Sequence, residues 1–430
     1  MADVTLSVYT HEYTLDDMTL DSASTTTQTE WTEQELLETH AVAEPLIVGG
    51  VRCHGGFGDD GAYVSPRTKN RFPAIDAWKA KRATEFGTPL LDIALSTWPE
   101  TYPNVAQAKY LIGEGVTEPI VSTLTRIGTV EGFGAMIRYS MLPDMQQCFD
   151  DDITGTALTH LDRGLFEAHA RDEAGYEDEG GHKQMWFAAR DIAFENPVTE
   201  DQTSVMLQRM GITGGTPGSR PPIVPEQQFT DLDANLEFLV ARMASLLLIE
   251  ISAFHTFAWA EEVLSDTDLT AGDGEAARLV SYIRADETPH VEYLKTVLSE
   301  MRDRTMVGTS GAKYAGTEVI GTLWERAKAE SLGARREQNL QLSLRKIDHA
   351  IAGNPRHDEI LEGFHALGSI RPSSDGRWVA TDSLSAYCST RCCSAERPSC
   401  RHIRMDLLAS LAVVVIVIAG FGTCGRKTTD

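Results

Sequence analysis

Two stretches, Asp178-Glu179-Gly180-Gly181-His182 and Asp286-Glu287-Thr288-Pro289-His290, share one pattern: an Asp-Glu pair with a His three residues after the Glu. On a helix, residues three apart lie on one face. One carboxylate and one imidazole can then reach the same metal ion. Two such pairs on two helices supply two ions, and a Glu from each of two further helices can bridge them. Composition gives any His roughly a one-in-fifty chance of acids at both preceding positions. Two hits among twelve His, both Asp then Glu, are hard to assign to chance.

Helical periodicity runs from about residue 104 to about 350. The punctuation predicts one helix over Pro119–Leu142 and a second over Thr156–Phe194, stopped by Asn196-Pro197. A third fits Asp233–Leu264 and a fourth Glu275–Arg304. The links within each pair are short. About 35 residues separate the second and third helices, with Gly214-Gly215, Pro217-Gly218 and Pro221-Pro222 among them. Two helical hairpins joined by one long crossover is the expected topology.

The other two helices each offer a carboxylate. Glu250 is the only acid between Met243 and Ala260. In so apolar a helix it must be protonated, paired or metal-bound; a salt-bridged structural Glu is the plain alternative. Phe254 and Phe257 follow on its face, which predicts an aromatic pocket. Glu131 is the only acid between Pro119 and Leu142, and Gly128, Gly132 and Gly134 surround it. Those glycines permit close helix approach or leave room for a substrate. Glu114 and Glu118 are alternatives just upstream. The second helix also carries Glu167, His169, Asp172, Glu173 and Glu177, which read mostly as a solvated face. Glu173 stands within one to two turns of Glu179. His255 reads as a core histidine rather than a ligand.

Both motifs break helix rules. Each Gly costs on the order of 1 kcal/mol and Pro289 about 3 kcal/mol relative to Ala in a helix interior. Rules that fail together at a proposed site point to function, here through local distortion that aims ligands. Asp178 and Asp286 are expected to accept the second imidazole N–H of the partner motif's His, fixing its tautomer, and Arg284 to join that network.

These residues resemble the ferritin-like di-iron carboxylate superfamily, whose pattern is Glu, Glu-x-x-His, Glu, Glu-x-x-His on four helices. Here that gives the metal ligands Glu131, Glu179, His182, Glu250, Glu287 and His290, over about residues 119–305. The resemblance implies an all-α, ferritin-like four-helix bundle holding two Fe, alternatively Mn or mixed Mn/Fe. It implies an O2-dependent oxidoreductase of the monooxygenase or oxidase class, with Glu250 and Glu287 at the catalytic centre. The substrate would be a small apolar organic molecule, with an electron-donor protein and a homodimer as further expectations. The alternatives are a manganese catalase and a non-catalytic metal-binding bundle. Tyr139 and Tyr176 are tyrosyl-radical candidates by proximity alone.

The rest of the chain frames this core. A net charge of -25 repels phosphate backbones and argues against nucleic acid. Residues 1–43 hold no Lys or Arg and read as an acidic, disordered arm without a signal peptide. Residues 44–118, rich in Gly turns, read as an irregular wrapping segment with short helices, anchored by Trp78 and Phe86. Residues 306–369 read as accessory helices. Five of the seven Cys fall at 388–424, in and after a Cys/Arg/Ser-rich linker at 370–405. That is no disulfide scaffold, so the body reads as a reduced, cytoplasmic protein. The apolar run Leu407–Gly422 sits at the short edge for a membrane span. It is one reading of 406–424 as a tail anchor; a tail not native to this fold is the other.

Overall fold

The computed structural model describes residues 28–93, 98–194, 226–368, 370–372 and 378–380. Residues 1–27 of the acidic arm, the crossover over 195–225 and the tail from 381 on with its apolar run lie outside them. No helix among the described residues is long and apolar enough to cross a membrane.

In chain order the elements are α1 (Glu33–Leu36), β1 (Glu44–Val48), β2 (Val51–Phe57), β3 (Tyr63–Val64), α2 (Arg71–Phe86), α3 (Val105–Gly113) and α4 (Glu118–Gly134). Then come α5 (Phe166–Ala174), α6 (His182–Ala193), α7 (Ala234–Leu264), α8 (Glu275–Asp286) and α9 (Thr288–Arg302). The last are β4 (Thr305–Val307), β5 (Lys313–Ala315), α10 (Gly316–Lys328), α11 (Arg335–Ile351), α12 (His357–Ala366), β6 (Ile370–Pro372) and β7 (Trp378–Ala380). The protein is mostly helical. The glycine-rich stretch expected to be irregular instead forms an antiparallel sheet in the order β1-β2-β3. Gly49 and Gly50, both at positive φ, make its first hairpin turn.

The third predicted helix is realised as α7, capped by the Asp233 carboxylate on the Asn235 and Leu236 N–H groups. The first ends early, at Gly134, and tightens into a 3-10 turn over Ala135–Tyr139. The fourth is interrupted only at Glu287, where Pro289 opens α9 near its N-terminus, the one place a helix tolerates it. The second departs most. A π-turn with Gly164 at φ 128° precedes α5, and Gly175, at φ 83°, ends it. The chain loops through residues 175–181 before α6 begins at His182.

Two apolar cores lie on either side of a polar layer. One gathers Trp78, Leu165, Leu247, Leu294 and Leu323; the other gathers Ile120, Trp186, Phe257, Val280 and Ile283. Four helical segments pass from one to the other. Helix α4 runs from the second core (Ile120, Leu124) towards the first (Ile137), and α8–α9 runs the same way, from Val280 to Leu294. The α5–α6 segment runs oppositely, from Leu165 to Met185, as does α7, from Leu247 to Phe257. Helices α4 and α6 pack together, as do α7 and α8, and α6 and α8. Each segment carries its charged residues where it crosses between cores: Glu131, Glu173 and His182, Glu250, and Glu287 and His290. Around this frame, α10 packs on α7 and α9, α11 on α4, and α12 on α3.

Candidate metal centre

At the crossing layer, three imidazoles and four carboxylates converge, all buried. His169, Glu173, Glu250 and His290 form one group whose donor atoms lie within 4.8 Å of one another; Glu131, Glu173, His182 and Glu287 form a second. Glu173 belongs to both. Its Oε1 lies 3.3 Å from His290 Nδ1 and its Oε2 lies 3.5 Å from His182 Nδ1. Glu287 spans the same two rings, with Oε1 3.0 Å from His182 Nδ1 and Oε2 2.8 Å from His290 Nδ1. Glu131 Oε2 lies 3.5 Å from His182 Nδ1, and Glu250 Oε1 lies 3.6 Å from His169 Nε2.

Five of the six ligands expected from the sequence therefore meet: Glu131, His182, Glu250, Glu287 and His290. Glu179 does not. It sits in the loop between α5 and α6, where its carboxylate pairs with Arg52 at 3.0 Å on the surface. The reason is the helix break. Three-residue spacing puts Glu and His on one face only within a continuous helix, and Gly180-Gly181 stand outside one. Gly180 joins β2 instead: its N–H donates to Arg52 O and its carbonyl accepts from His54 N–H. A Cβ on Gly181 would come within 2.6 Å of Asp172 O, so the loop closes against the end of α5 only with glycine there. That fold-back returns the chain so that His182 meets Glu173.

The expected outer partners change in the same way. Asp286 stands near its expected place on His182 without bonding it: its Oδ2 lies 3.5 Å from His182 Nε2, which makes no hydrogen bond, and accepts the Tyr63 O–H at 2.8 Å. Asp178 is exposed in the loop, and Asp172 takes its place, 2.9 Å from His290 Nε2. Asp172 also accepts from Arg67 Nε and Arg71 Nη2, both at 2.7 Å, inside the protein. Burial alone would raise the Asp172 carboxyl, but the two guanidinium groups hold it well below the usual carboxylate range. Arg284 pairs with Glu261 at 2.8 Å, away from the cluster.

The aromatic expectations fare unevenly. Phe257 is fully buried against the Trp186 ring, 4.9 Å away, and Phe254 packs on the other core, so both serve as core. Tyr139 and Tyr176 are exposed. The tyrosines beside the cluster are Tyr63, on Asp286, and Tyr293, whose hydroxyl lies 3.2 Å from His169 Nδ1. His255 stacks on Trp98 and stays out. Glu114 pairs with Arg356 and Glu118 is exposed, which leaves Glu131 as the first-helix carboxylate at the cluster. Trp78 is buried as expected, donating to Thr29 O, and Phe86 lies under the Arg304 guanidinium.

The cluster suits cations. His182 Nδ1, His169 Nε2, Glu173 Oε2 and Glu287 Oε1 are buried and make no hydrogen bond, although they point at one another. Unsatisfied buried polar atoms are costly unless something fills the space between them. Burial, with the charge of Glu173, pushes Glu131 well above the usual carboxylate range; burial, with Glu287 and Glu173, does the same to Glu250. Burial opposes charging of His182 and His290, yet Glu287 holds both imidazoles well above their ordinary range. The site thus gathers positive charge from whatever supplies it. Four carboxylates would balance two divalent ions, and carboxylate with imidazole suits Fe, Mn or Zn.

A third grouping, His54 with His182 and Asp286, is different. Arg67 Nη2 lies 3.1 Å from His54 Nδ1. Guanidinium only donates, so Nδ1 accepts and Nε2 carries the proton. His54 is therefore a donor facing Asp286 and His182, not a ligand. Neither His54 nor His169 was marked by any motif. Only the i, i+4 spacing of His169 and Glu173 on α5, with Asp172 beside them, gave a signal.

Comparison with protein-family models, curated proteins and solved structures gives no match to this chain. The site's own geometry therefore carries the functional reading.

Proposed function

We propose that this protein is an O2-dependent oxidoreductase of the ferritin-like di-iron carboxylate type, acting on a small organic substrate. One observation carries it: three imidazoles and four carboxylates from four helical segments, buried in one layer, with Glu173 and Glu287 each reaching both halves. The run directions support a ferritin-like bundle. Helices α4 and α5–α6 are antiparallel, α5–α6 and α7 parallel, and α7 and α8–α9 antiparallel, which requires a long crossover between the second and third segments.

Iron pairs held this way supply the electrons and open coordination positions for O2 activation. The protein's part is ligand placement. Glu173 and Glu287, which reach both groups, would help hold both ions, with Glu131 and His182 at one and Glu250, His169 and His290 at the other. Asp172, by accepting the His290 Nε2–H, leaves the Nδ1 lone pair facing inwards; Asp286, 3.5 Å from His182 Nε2, would do so for His182 on a closer approach. Glu250 and Glu287 are the carboxylates nearest the chemistry in this reading. The flanking cores keep bulk water from the layer, which strengthens each electrostatic contact inside it.

Metal analysis of purified and reconstituted protein tests the reading. Two irons per chain, with O2 consumed on reduction, are expected. Two manganese ions with peroxide disproportionation would replace it with a manganese catalase. A folded chain that takes up no metal would end it.

A further inference from the structure

A second polar feature lies away from the metal centre. Between the first half of α4 and the middle of α11 is a half-open cleft lined by Thr123, Arg126, Asn339, Ser343 and Lys346, among others. It is narrow, with room for little more than a water-sized group inside its walls. Two cations face it in a chain of net charge -25. Among the described residues, Arg126 makes no hydrogen bond or ion pair. Lys346 Nζ donates to Ser122 Oγ at 2.8 Å and has no carboxylate in ion-pair contact. Both side chains are half-buried.

Such a pair is unfavourable as it stands. Burial and the Arg126 charge, against the opposing pull of Glu118, together lower Lys346 to about 8. Several other enclosed cations are matched with acids, as Arg67 and Arg71 with Asp172, or Arg82 with Asp303, while buried Arg242 donates to the Met136 carbonyl. Here two positive groups line one cleft together with the Ser343 hydroxyl and the Asn339 carboxamide, both able to donate to oxygen; the Thr123 hydroxyl already donates to Pro119 O at 2.8 Å. The first turn of α4 adds its N-terminal dipole, which also favours negative charge.

We propose that this cleft binds a small oxyanion group, a carboxylate or a phosphate, whose oxygens reach between Arg126 and Lys346. Arg126 presents a planar fork suited to two oxygens, and Lys346 a point charge. Ser343 and Asn339 complete the donor set. The ligand would tie α11 to α4, the helix that carries Glu131. Glu118, at the edge, would weaken binding by like-charge repulsion.

Isothermal titration of the full-length protein with phosphate, and separately with acetate, tests this at fixed ionic strength set by chloride. Saturable binding of one of them is expected, and which one saturates identifies the group. R126Q and K346Q should each weaken it at least tenfold, while R126K, which keeps the charge but loses the fork, weakens it less than R126Q, and E118Q tightens it. Thermal melts confirm that each variant is folded; if R126Q fails to fold, K346Q and E118Q carry the test. Absence of saturable heat with both anions overturns the proposal. So does binding that R126Q and K346Q leave unchanged.

Discussion

His290 Nε2 lies 2.9 Å from Asp172 Oδ2, and Asp172 is held in turn by Arg67 and Arg71. The sequence placed an Asp-Glu pair six residues later, at 178–179. The same division of labour, Glu towards the metals and Asp behind the opposite motif's His, is carried by Asp172 and Glu173. Asp172→Asn should reduce metal affinity 10–100-fold, the usual effect of losing a ligand's outer partner. It should also destabilise the fold by about 3–5 kcal/mol, because two buried guanidinium groups lose their counter-charge. Asp178→Asn, in the exposed loop, should do neither. Metal titration and urea unfolding of the two variants decide the matter; equal effects would refute the assignment.

Glu173 and Glu179 make a sharper pair. Glu173→Ala removes a carboxylate that reaches both ligand groups, so bound metal should fall from two ions per chain to one or none by elemental analysis. Glu179→Ala removes only its pairing with Arg52. Both side chains there are partly solvated, at 33 and 58 % exposure, and such pairs contribute about 0–1 kcal/mol. That variant should keep both ions and nearly wild-type stability. Metal loss in Glu179→Ala with retention in Glu173→Ala would restore the motif read from sequence.

What the sequence could and could not reveal follows from where the helices are continuous. Glu250 stood out because a lone carboxylate in an apolar helix needs a partner, and α7 is unbroken for 31 residues. Glu287 and His290 were found because Pro289 falls at the start of α9, where the helix path survives it. Asp178-Glu179-Gly180-Gly181-His182 misled because its glycines are not a distortion within a helix but a turn between two. Gly175 at φ 83° had already ended α5. His169 and Asp172 read as part of a mostly solvated face, and Glu173 stood out only for its nearness to Glu179, since acidity alone does not show which side of a helix is buried. His54, Tyr63, Arg67 and Arg71 come from the segment before the helices, and only tertiary packing brings them to the site.

Gly134 tests whether the glycines of α4 serve the ligand layer. A Cβ there would lie 2.5 Å from Glu173 Cγ, so alanine must displace the ligand side chain or the helix. Gly134→Ala favours a helix by propensity, yet overpacking of this kind costs about 1–3 kcal/mol. We expect a net loss of thermal stability together with weakened metal binding. A variant more stable than wild type, with full metal content, would show that the close approach is not needed.

Glu300 sets an expected pH dependence away from the metal layer. It is buried on α9, and its two oxygens accept the Ala157 and Leu158 N–H groups. Burial pushes its carboxyl up to about 7, against the pull of Arg304 and those two donors. A carboxyl whose pKa is raised on folding binds its proton more tightly in the native state. Its contribution to stability is therefore fully present below the unfolded value of 4.5 and is lost as pH rises towards about 7. The shift corresponds to about 3 kcal/mol. Glu300→Gln cannot ionise and keeps one acceptor for the two N–H groups, at a cost of about 1 kcal/mol for the other. Urea unfolding from pH 5 to pH 8 should show the variant losing less stability than the parent across that range, so that it overtakes the parent between about pH 5 and pH 6 and leads it by about 2 kcal/mol at pH 8. Parallel curves would mean that Glu300 stays ionised throughout, with its two N–H donors and Arg304 outweighing its burial.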